Sequence, residues 1–349
     1  MIGTLGSYYF DKFIEPPLTT PDPMALHKIF SDMVDCGIQT VVMEVSAHAL
    51  YWEKVNGLKF EVGVFTNFSR DHIDFFGNMD NYKKAKRKFF EENECKRFVL
   101  NSDDDMGLEL SRTNSNVVTY GLENPADVFA ISIKEKDFKT EFVLNLFDNI
   151  YQTKINFIGT FNVLNALAAV TTAAIIGNST EAVVKGLEKL DGVKGRIELV
   201  YQSDITVVVD YAHTPDGLKK TIMAIKPTCK KRLITVFGCG GNRDGGKREQ
   251  MGEVSGKLSD FTVITTDNPR FEEPMTIIRQ IEKGLLKHSK NYVVIEDRES
   301  GIEYALNMAK SGDVVLIAGK GSEQYQEILG VKRLYNDKDT VNELIRRIR

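Results

Sequence analysis

Cysteine is scarce and scattered: Cys36, Cys95, Cys229 and Cys239 form no CxxC pair. That excludes a disulfide framework and suits a reducing cytosol. No apolar run reaches the length of a membrane span. The opening residues, MIGTLGSYYFDKF, lack a basic stretch followed by an apolar one, so no signal peptide is expected. Surplus positive charge is lacking too. Lys+Arg 45 against Asp+Glu 49 leaves a net charge of −4, which argues against a nucleic-acid surface or a polybasic membrane anchor. There is no internal repeat and no low-complexity tract. A Walker A loop is also missing. Gly241, four residues and Gly246-Lys247 nearly spell one, but Arg248 stands where a Ser or Thr would hold Mg²⁺.

What is present is enough for two domains. The chain has 349 residues, 42% of them apolar, so each half can bury a core. Asp22-Pro23 starts a helix that Gly37 can close. IQTVVMEVS and VGVFTNF read as strands, and MDNYKKAKRKFFEE reads as a helix with Asp80 as its cap. Residues 126–158 alternate around Asp148-Asn149, the pattern of an antiparallel meander. FNVLNALAAVTTAAII is a buried helix closed by Gly177, and EAVVKGLEKL is a shorter one. From about residue 195, ITVVVD, LITVFG, FTVITTD, YVVIED and DVVLIAG alternate with helices. Their continuous apolar runs predict a parallel, doubly wound sheet. Ligands of such sheets bind beyond the carboxyl ends of the strands.

Four constellations bear chemistry. On an ideal helix Lys86 shares a face with Tyr82, Phe89 and Phe90. A desolvated lysine is more nucleophilic and can form a carbamate, an anionic metal ligand. The alternative is a lysine that snorkels to the rim. Glu44, Ser46, His48, Asp71, His72 and Asp74 follow two strands and suit Mg²⁺, or are ordinary loop polarity and caps. The loop Gly238–Arg248 suits an anion, its arginines a carboxylate, unless it is only a solvated turn. Asp267-Asn268-Pro269-Arg270 with Gly319–Glu323 could hold the carboxylate and ammonium of an amino acid. Asp267 or Asn268 could equally cap the helix ahead of Pro274.

Taken in order, TTPDP, MEVSAHAL, VFTNFSRDHIDFFGNMDNYKKAK, GTFNVLNALAA, GRIELV, VVVDYAHTPDGL, VFGCGGNRDGGKR, TTDNPRFEEP and IAGKGSEQYQ resemble the Mur ligases of peptidoglycan synthesis, MurE type. The resemblance runs from Ile2 to about Gln326. It implies an α/β fold: a central ATPase-like domain over 1–193, followed by a Rossmann-like, doubly wound, amino-acid-binding domain over 194–349. It also implies ATP-dependent amide formation in the cytoplasm by a monomer. A D-glutamyl carboxylate would take the γ-phosphate, and an incoming amine would displace it from the acyl phosphate.

Carried over residue by residue, Lys86 (as a carbamate), Glu44 and His72 match catalytic and Mg²⁺-holding positions. Thr19, Thr20, Ser46 and Lys54 match contacts to the UDP-muramoyl dipeptide. Asn162, Arg196, Asp210 and His213 match positions near ATP. Arg243, Asp267, Asn268, Pro269, Arg270, Gly319 and Glu323 match the pocket for the incoming amino acid. DNPR is the form that resembles meso-diaminopimelate ligases, with Arg270 on the distal carboxylate.

Some positions depart from the pattern. Ala47 replaces a second Ser, Trp52 and Lys54 replace a Gln and an Arg, and Ser322 replaces a His. Lysine or another diamine is the alternative acceptor. A folate-type polyglutamate ligase is opposed by TTPDP, DNPR and GKGSE. The motif order further implies that a UDP-binding domain and the P-loop part of the central domain are absent from this stretch. A non-catalytic fragment is therefore also an alternative, and little or no phosphate release is expected from this polypeptide without an added N-terminal segment.

Overall fold

The structure, a computed structural model, describes residues 1–15 and 18–348. The chain forms two compact units. One holds Met1–Phe68 and Phe75–Thr119, the other Ser69–Asp74 and Tyr120–Arg349.

The first unit opens with a three-stranded antiparallel sheet, β1 (Ile2–Gly3), β2 (Gly6–Tyr9) and β3 (Lys12–Ile14). In α1 (Pro23–Asp35) the proline takes the first turn, where its missing N–H costs nothing. Asp22 is the N-cap residue, but its carboxylate pairs with Lys54 at 2.7 Å instead of capping. Gly37, at φ +77°, follows the helix as expected.

The run IQTVVMEVS does not become the expected strand. Met43 alone bridges to Ile2, flanked by Ile2 N to Val42 O and Glu44 N to Ile2 O, both 2.9 Å. Its partner β1 is only two residues long, so no longer ladder can form there. The extended segment runs into α2 (Ala47–Tyr51), capped by Ser46.

β4 (Lys59–Phe65) leads through α3 (Ile73–Phe76) to α4 (Met79–Glu92), then β5 (Glu94–Asn101), which pairs with β4 in parallel, and α5 (Asp105–Thr113). Leu26, Met33, Phe65, Phe89, Phe98 and Leu110 belong to one buried core. Asp80, the expected cap of α4, lies within its first turn. Asn78 is the cap, accepting from Asn81 N at 2.8 Å, and Asp80 adds favourable charge at the helix start.

β6 (Val117–Gly121) carries the chain into the second unit, where Tyr120 and Gly121 pair with β7 (Val128–Lys136). β7, β8 (Lys139–Leu146) and β9 (Asn149–Ile155) form the expected meander. The second turn falls on Phe147-Asp148, one residue before the expected Asp148-Asn149. Those two residues take φ +52° and +63°, the left-handed pair that a tight two-residue hairpin needs. α6 (Thr160–Ile175) and α7 (Thr180–Glu188) follow.

The remainder is doubly wound. In chain order it comprises β10 (Glu198–Gln202), β11 (Thr206–Asp210), α8 (Pro215–Ile225), β12 (Leu233–Phe237), α9 (Gly246–Leu258) and β13 (Phe261–Ile264). Then come α10 (Pro274–Leu285), β14 (Tyr292–Val294), α11 (Arg298–Met308) and β15 (Val314–Ala318). The sheet order is β10-β11-β15-β12-β13-β14. All neighbours are parallel except β10, an antiparallel edge strand that the apolar rhythm did not announce.

The hairpin β16 (Tyr325–Ile328) and β17 (Val331–Leu334) and then α12 (Asp337–Ile348) complete the unit. Val208, Leu233 and Leu316 face a core with residues of α8, α9 and α10. Val207, Ile234 and Ile317 face another with residues of α11 and α12. Burial on both faces is why these strands read as unbroken apolar runs. No described helix is long and apolar enough to cross a membrane.

Candidate active site

In the first unit the short Ile2–Met43 bridge places Glu44 against the turn after β1. Thr4 Oγ1 donates to Glu44 Oε2 at 2.8 Å and lies 3.1 Å from Thr19 Oγ1. Thr20 Oγ1 donates to the Glu44 carbonyl at 2.9 Å and accepts from Ser46 N at 3.0 Å. Gly3 lets the carboxylate come close, since a Cβ on it would lie 2.6 Å from Glu44 Oε1 and the side chain would have to shift. Thr19, Thr20, Glu44 and Ser46 therefore form one polar cluster. Lys54 is held by Asp22. The Lys86 ammonium donates to the Asn67 carbonyl at 2.9 Å and lies over the Tyr82 and Phe65 rings at 5.5 and 5.9 Å. The expected face with the aromatics is thus the one it occupies, half-buried. Trp52 is exposed beside Tyr51 and Phe75.

His72 belongs to the second unit. Its backbone is left-handed at φ +56°, and its N–H donates to Asp71 Oδ1 at 2.8 Å. Burial pushes the His72 imidazole pKa down against the pull of Asp71 and Asp74, which favours the neutral ring. Asp71 lies 3.8 Å from His213 Nε2. Burial opposes its charge, but His213 and His72 hold the carboxyl well below the usual range. Asp74 faces Arg243 at 3.7 Å.

The positions expected near ATP are also in this unit. Arg196 stacks on Tyr211, 4.5 Å from the ring centroid. Asn162 is buried, its amide donating to Ile158 O at 2.7 Å. Both oxygens of Asp210 already have internal partners: Ile197 N at 2.7 Å on one, Ala212 N at 2.8 Å and Thr221 Oγ1 at 2.9 Å on the other. Burial nonetheless pushes its carboxyl pKa up.

The loops after β13 and β15 form a single network. Asn268 donates to Glu323 Oε2 at 2.9 Å and accepts from Lys320 Nζ at 3.0 Å. Lys320 Nζ also reaches Glu323 Oε2 at 2.8 Å. Asp267 Oδ1 accepts from Asn268 N at 2.6 Å. Burial opposes the Asp267 charge, but Lys320 and Arg298 keep its carboxyl low. Gly319 is at φ +116°, and a Cβ there would approach Asp267 Oδ2 to 2.7 Å. Arg270 Nη1 donates to Gly241 O at 2.8 Å, and Nε lies 3.3 Å from Glu327 Oε2. Pro269 O accepts from Glu272 N at 3.0 Å. A Cβ on Gly240 would come 3.0 Å from Arg270 Nη1 and 3.8 Å from Arg243 Cγ, so both arginines flank that glycine. Arg243 also lines a cleft of about 440 Å³ with Arg248 and Glu272. Neither Asp267 nor Asn268 caps α10. Glu273 does, accepting from Met275 N and Thr276 N at 3.0 and 2.6 Å.

Comparison with known proteins decides the family. The Mur ligase middle domain model matches residues 1–173, and the Mur ligase, glutamate ligase domain model matches 195–321. The UDP-N-acetylmuramoyl-L-alanyl-D-glutamate–2,6-diaminopimelate ligase 1 of Clostridium acetobutylicum is 46% identical, over 100% of this chain and 72% of that protein. The chain belongs to the Mur ligase family. The corresponding ligase of Alkaliphilus metalliredigens is 42% identical, over 99% of this chain and 70% of its own length. A solved structure of such a 2,6-diaminopimelate ligase is 33% identical, with a TM-score of 0.67, covering 99% of this chain and 72% of that one. A pseudomurein peptide ligase type C from Methanothermus fervidus shares the fold at 22% identity and a TM-score of 0.67, over 85% of this chain and 65% of that one.

Within this Mur ligase the motifs passed over two groups. Lys320, wholly buried, ties Asn268 to Glu323. Its signal was the GKGSE stretch itself, a lysine between glycines after a buried strand. Glu327 has no such signal, because only the fold brings β16 beside Arg270. Among the described residues no three or more His, Cys, Asp or Glu form a ready-made metal site. Mg²⁺ does not require one, since it keeps waters and phosphate oxygens alongside one or two carboxylates. The oxygen-rich surroundings of Glu44 suit that hard ion.

Proposed function

We propose that this Mur ligase joins meso-2,6-diaminopimelate to UDP-N-acetylmuramoyl-L-alanyl-D-glutamate, using ATP and forming an acyl phosphate. The observation that carries the reading is Arg270. Its guanidinium is fixed by Gly241 O at the carboxyl edge of the sheet, beside the Asn268–Lys320–Glu323 network. A fixed guanidinium suits a carboxylate, and lysine has no distal one.

In this reading Arg243, Asp267, Asn268, Pro269, Arg270, Gly319 and Glu323 bind the amino acid. Thr19, Thr20, Ser46 and Lys54 bind the muramoyl dipeptide. Asn162, Arg196 and His213 lie along ATP, and Asp210 holds the Ile197 and Ala212 backbone beside them. Glu44, His72 and Lys86 as a carbamate hold Mg²⁺, which when bound offsets the phosphate charge. Residues 1–193 serve as the central domain and 194–349 as the amino-acid-binding one, in a cytoplasmic monomer.

The test is ligation by the protein as its gene encodes it, with ATP, Mg²⁺ and the muramoyl dipeptide nucleotide. Either diaminopimelate or L-lysine is offered, and product mass and phosphate release are measured. The diaminopimelate tripeptide is expected. Consumption of lysine with diaminopimelate ignored, or no release with either, overturns the reading.

A further inference from the structure

Arg196 stands on a strained turn. The residues on either side of it are both left-handed, Gly195 at φ +68° and Ile197 at φ +43°. A β-branched residue in that region is a steric outlier, and such backbone persists only where its surroundings hold it. Two carboxylates do the holding. Asp210 Oδ2 accepts from Ile197 N at 2.7 Å, and Glu198 Oε2 accepts from Gly195 N at 2.7 Å. Arg196 N donates to Val193 O at 3.0 Å and closes the turn. Gly195 is also pressed on the loop after β15, where a Cβ on it would strike the backbone of Gly321 and Ser322. The other oxygen of Glu198 takes the Lys338 ammonium of α12 at 2.6 Å. Between these fixed points the Arg196 side chain is exposed. Its guanidinium lies over the Tyr211 ring and has no hydrogen bond or ion pair among the described residues.

We infer that Glu198 is a positioning residue: with Asp210 it pins the backbone on both sides of Arg196 and so aims that guanidinium at a phosphate of the nucleotide. The inference rests on the reading above, in which Arg196 lies along ATP. An arginine free to swing loses affinity to the cost of being ordered when the anion arrives. Held on its turn and stacked on Tyr211, Arg196 meets a phosphate already oriented, with its fork open for a bidentate pair. Glu198 acts only through this turn. Its charge is matched within the fold by Lys338. Lys338 follows Asp337, whose carboxylate holds Arg298. The start of α12 thereby supports the Arg196 turn through one residue and the loops after β13 and β15 through the next.

The test uses the full chain with Mg²⁺ and β,γ-imido-ATP, an analogue that is not hydrolysed. Calorimetry gives its affinity. The side-chain Nε–H resonance of Arg196, assigned by its loss in Arg196→Met, reports the stacking on Tyr211. Glu198→Ala is expected to move that resonance from its ring-shifted position to that of a free arginine. It should also weaken the analogue by about tenfold, the scale of one charge-assisted hydrogen bond. Glu198→Gln, which keeps an oxygen for Gly195 N, should restore most of both. In an Arg196→Met background Glu198→Ala should add little further weakening. Equal weakening in both backgrounds, or an unmoved resonance, marks a structural role and overturns the inference. If Glu198→Ala does not fold, Glu198→Asp, whose shorter carboxylate cannot reach Gly195 N, takes its place with the same expected outcomes. A ring-shifted resonance that depends on Glu198, in a folded chain that binds no analogue, upholds the positioning and counts against the ATP role of Arg196.

Discussion

The Lys320 ammonium lies 2.8 Å from the Glu323 carboxylate and 3.0 Å from the side-chain oxygen of Asn268, with none of the lysine exposed. One buried cation thereby joins the loop after β13 to the loop after β15, and its field also steadies the Asp267 carboxylate. Lys320→Met removes the cation and leaves Glu323 and Asp267 without it. Urea unfolding should show a loss of roughly 3 kcal/mol, the usual cost of breaking a buried pair from one side. The KM for the amino acid should rise by more than kcat falls, because the loops proposed to bind it lose their common anchor. An unchanged unfolding midpoint would contradict this account.

A second buried pair underlies the same loops. Arg298 meets Asp337 through two 2.7 Å bonds and donates to Thr266 O at 3.3 Å and Ala318 O at 3.0 Å. Those carbonyls directly precede Asp267 and Gly319. Asp337→Asn leaves a buried guanidinium uncompensated and should cost about 3 kcal/mol or more. The double variant Arg298→Met with Asp337→Asn should recover part of that loss, giving a strong coupling in a double-mutant cycle. Additive losses would show that the two residues act independently.

Much of this was legible in the sequence, for identifiable reasons. The strands of the second unit announced themselves because both faces are buried, and Gly37 and Gly177 marked helix ends because only glycine enters left-handed backbone freely. The grouping of Asp267, Asn268, Arg270, Gly319 and Glu323 follows from strand-end loops meeting at one sheet edge. Other features depended on partners far along the chain. IQTVVMEVS has strand composition but meets only the two residues of β1. Edge strand β10 lacks the apolar run of the central strands because its pattern is half-exposed. Glu327 and Arg298 are unremarkable in sequence, and their contacts exist only once β16 and α11 are placed.

Asp313, buried at the start of β15, accepts from Arg232 Nη2 at 2.6 Å, from Arg232 N at 3.1 Å and from Lys310 N at 2.9 Å. Burial disfavours its charge, but these donors outweigh it and hold the carboxyl below 3.8. A carboxyl depressed in the folded state contributes stability that is fully present above its unfolded value and is lost as pH falls through its folded one. Unfolding free energy should therefore fall on acidification below about pH 4. Asp313→Asn should be less stable at neutral pH and show a shallower acid limb. Parallel acid limbs in the two proteins would rule the linkage out.

Lys86 separates electrostatics from carbamate chemistry. Its ammonium sits over Tyr82 and Phe65 and donates to Asn67 O, and each of those contacts accepts a guanidinium as readily. Arginine cannot form a stable carbamate, because its charge is delocalised and it stays protonated. Lys86→Arg should therefore keep the fold, with a melting temperature close to wild type, while kcat falls by about 100-fold or more, the scale of losing one preorganised electrostatic group. Lys86→Met should lose the ring contact as well and show a lower melting temperature with a similar kcat. Wild type equilibrated with ¹³C-bicarbonate should give a carbamate resonance that both variants lack. If Lys86→Arg turned over at the wild-type rate, the lysine would be a structural cation on an aromatic face, and Glu44 and His72 would have to hold the metal without it.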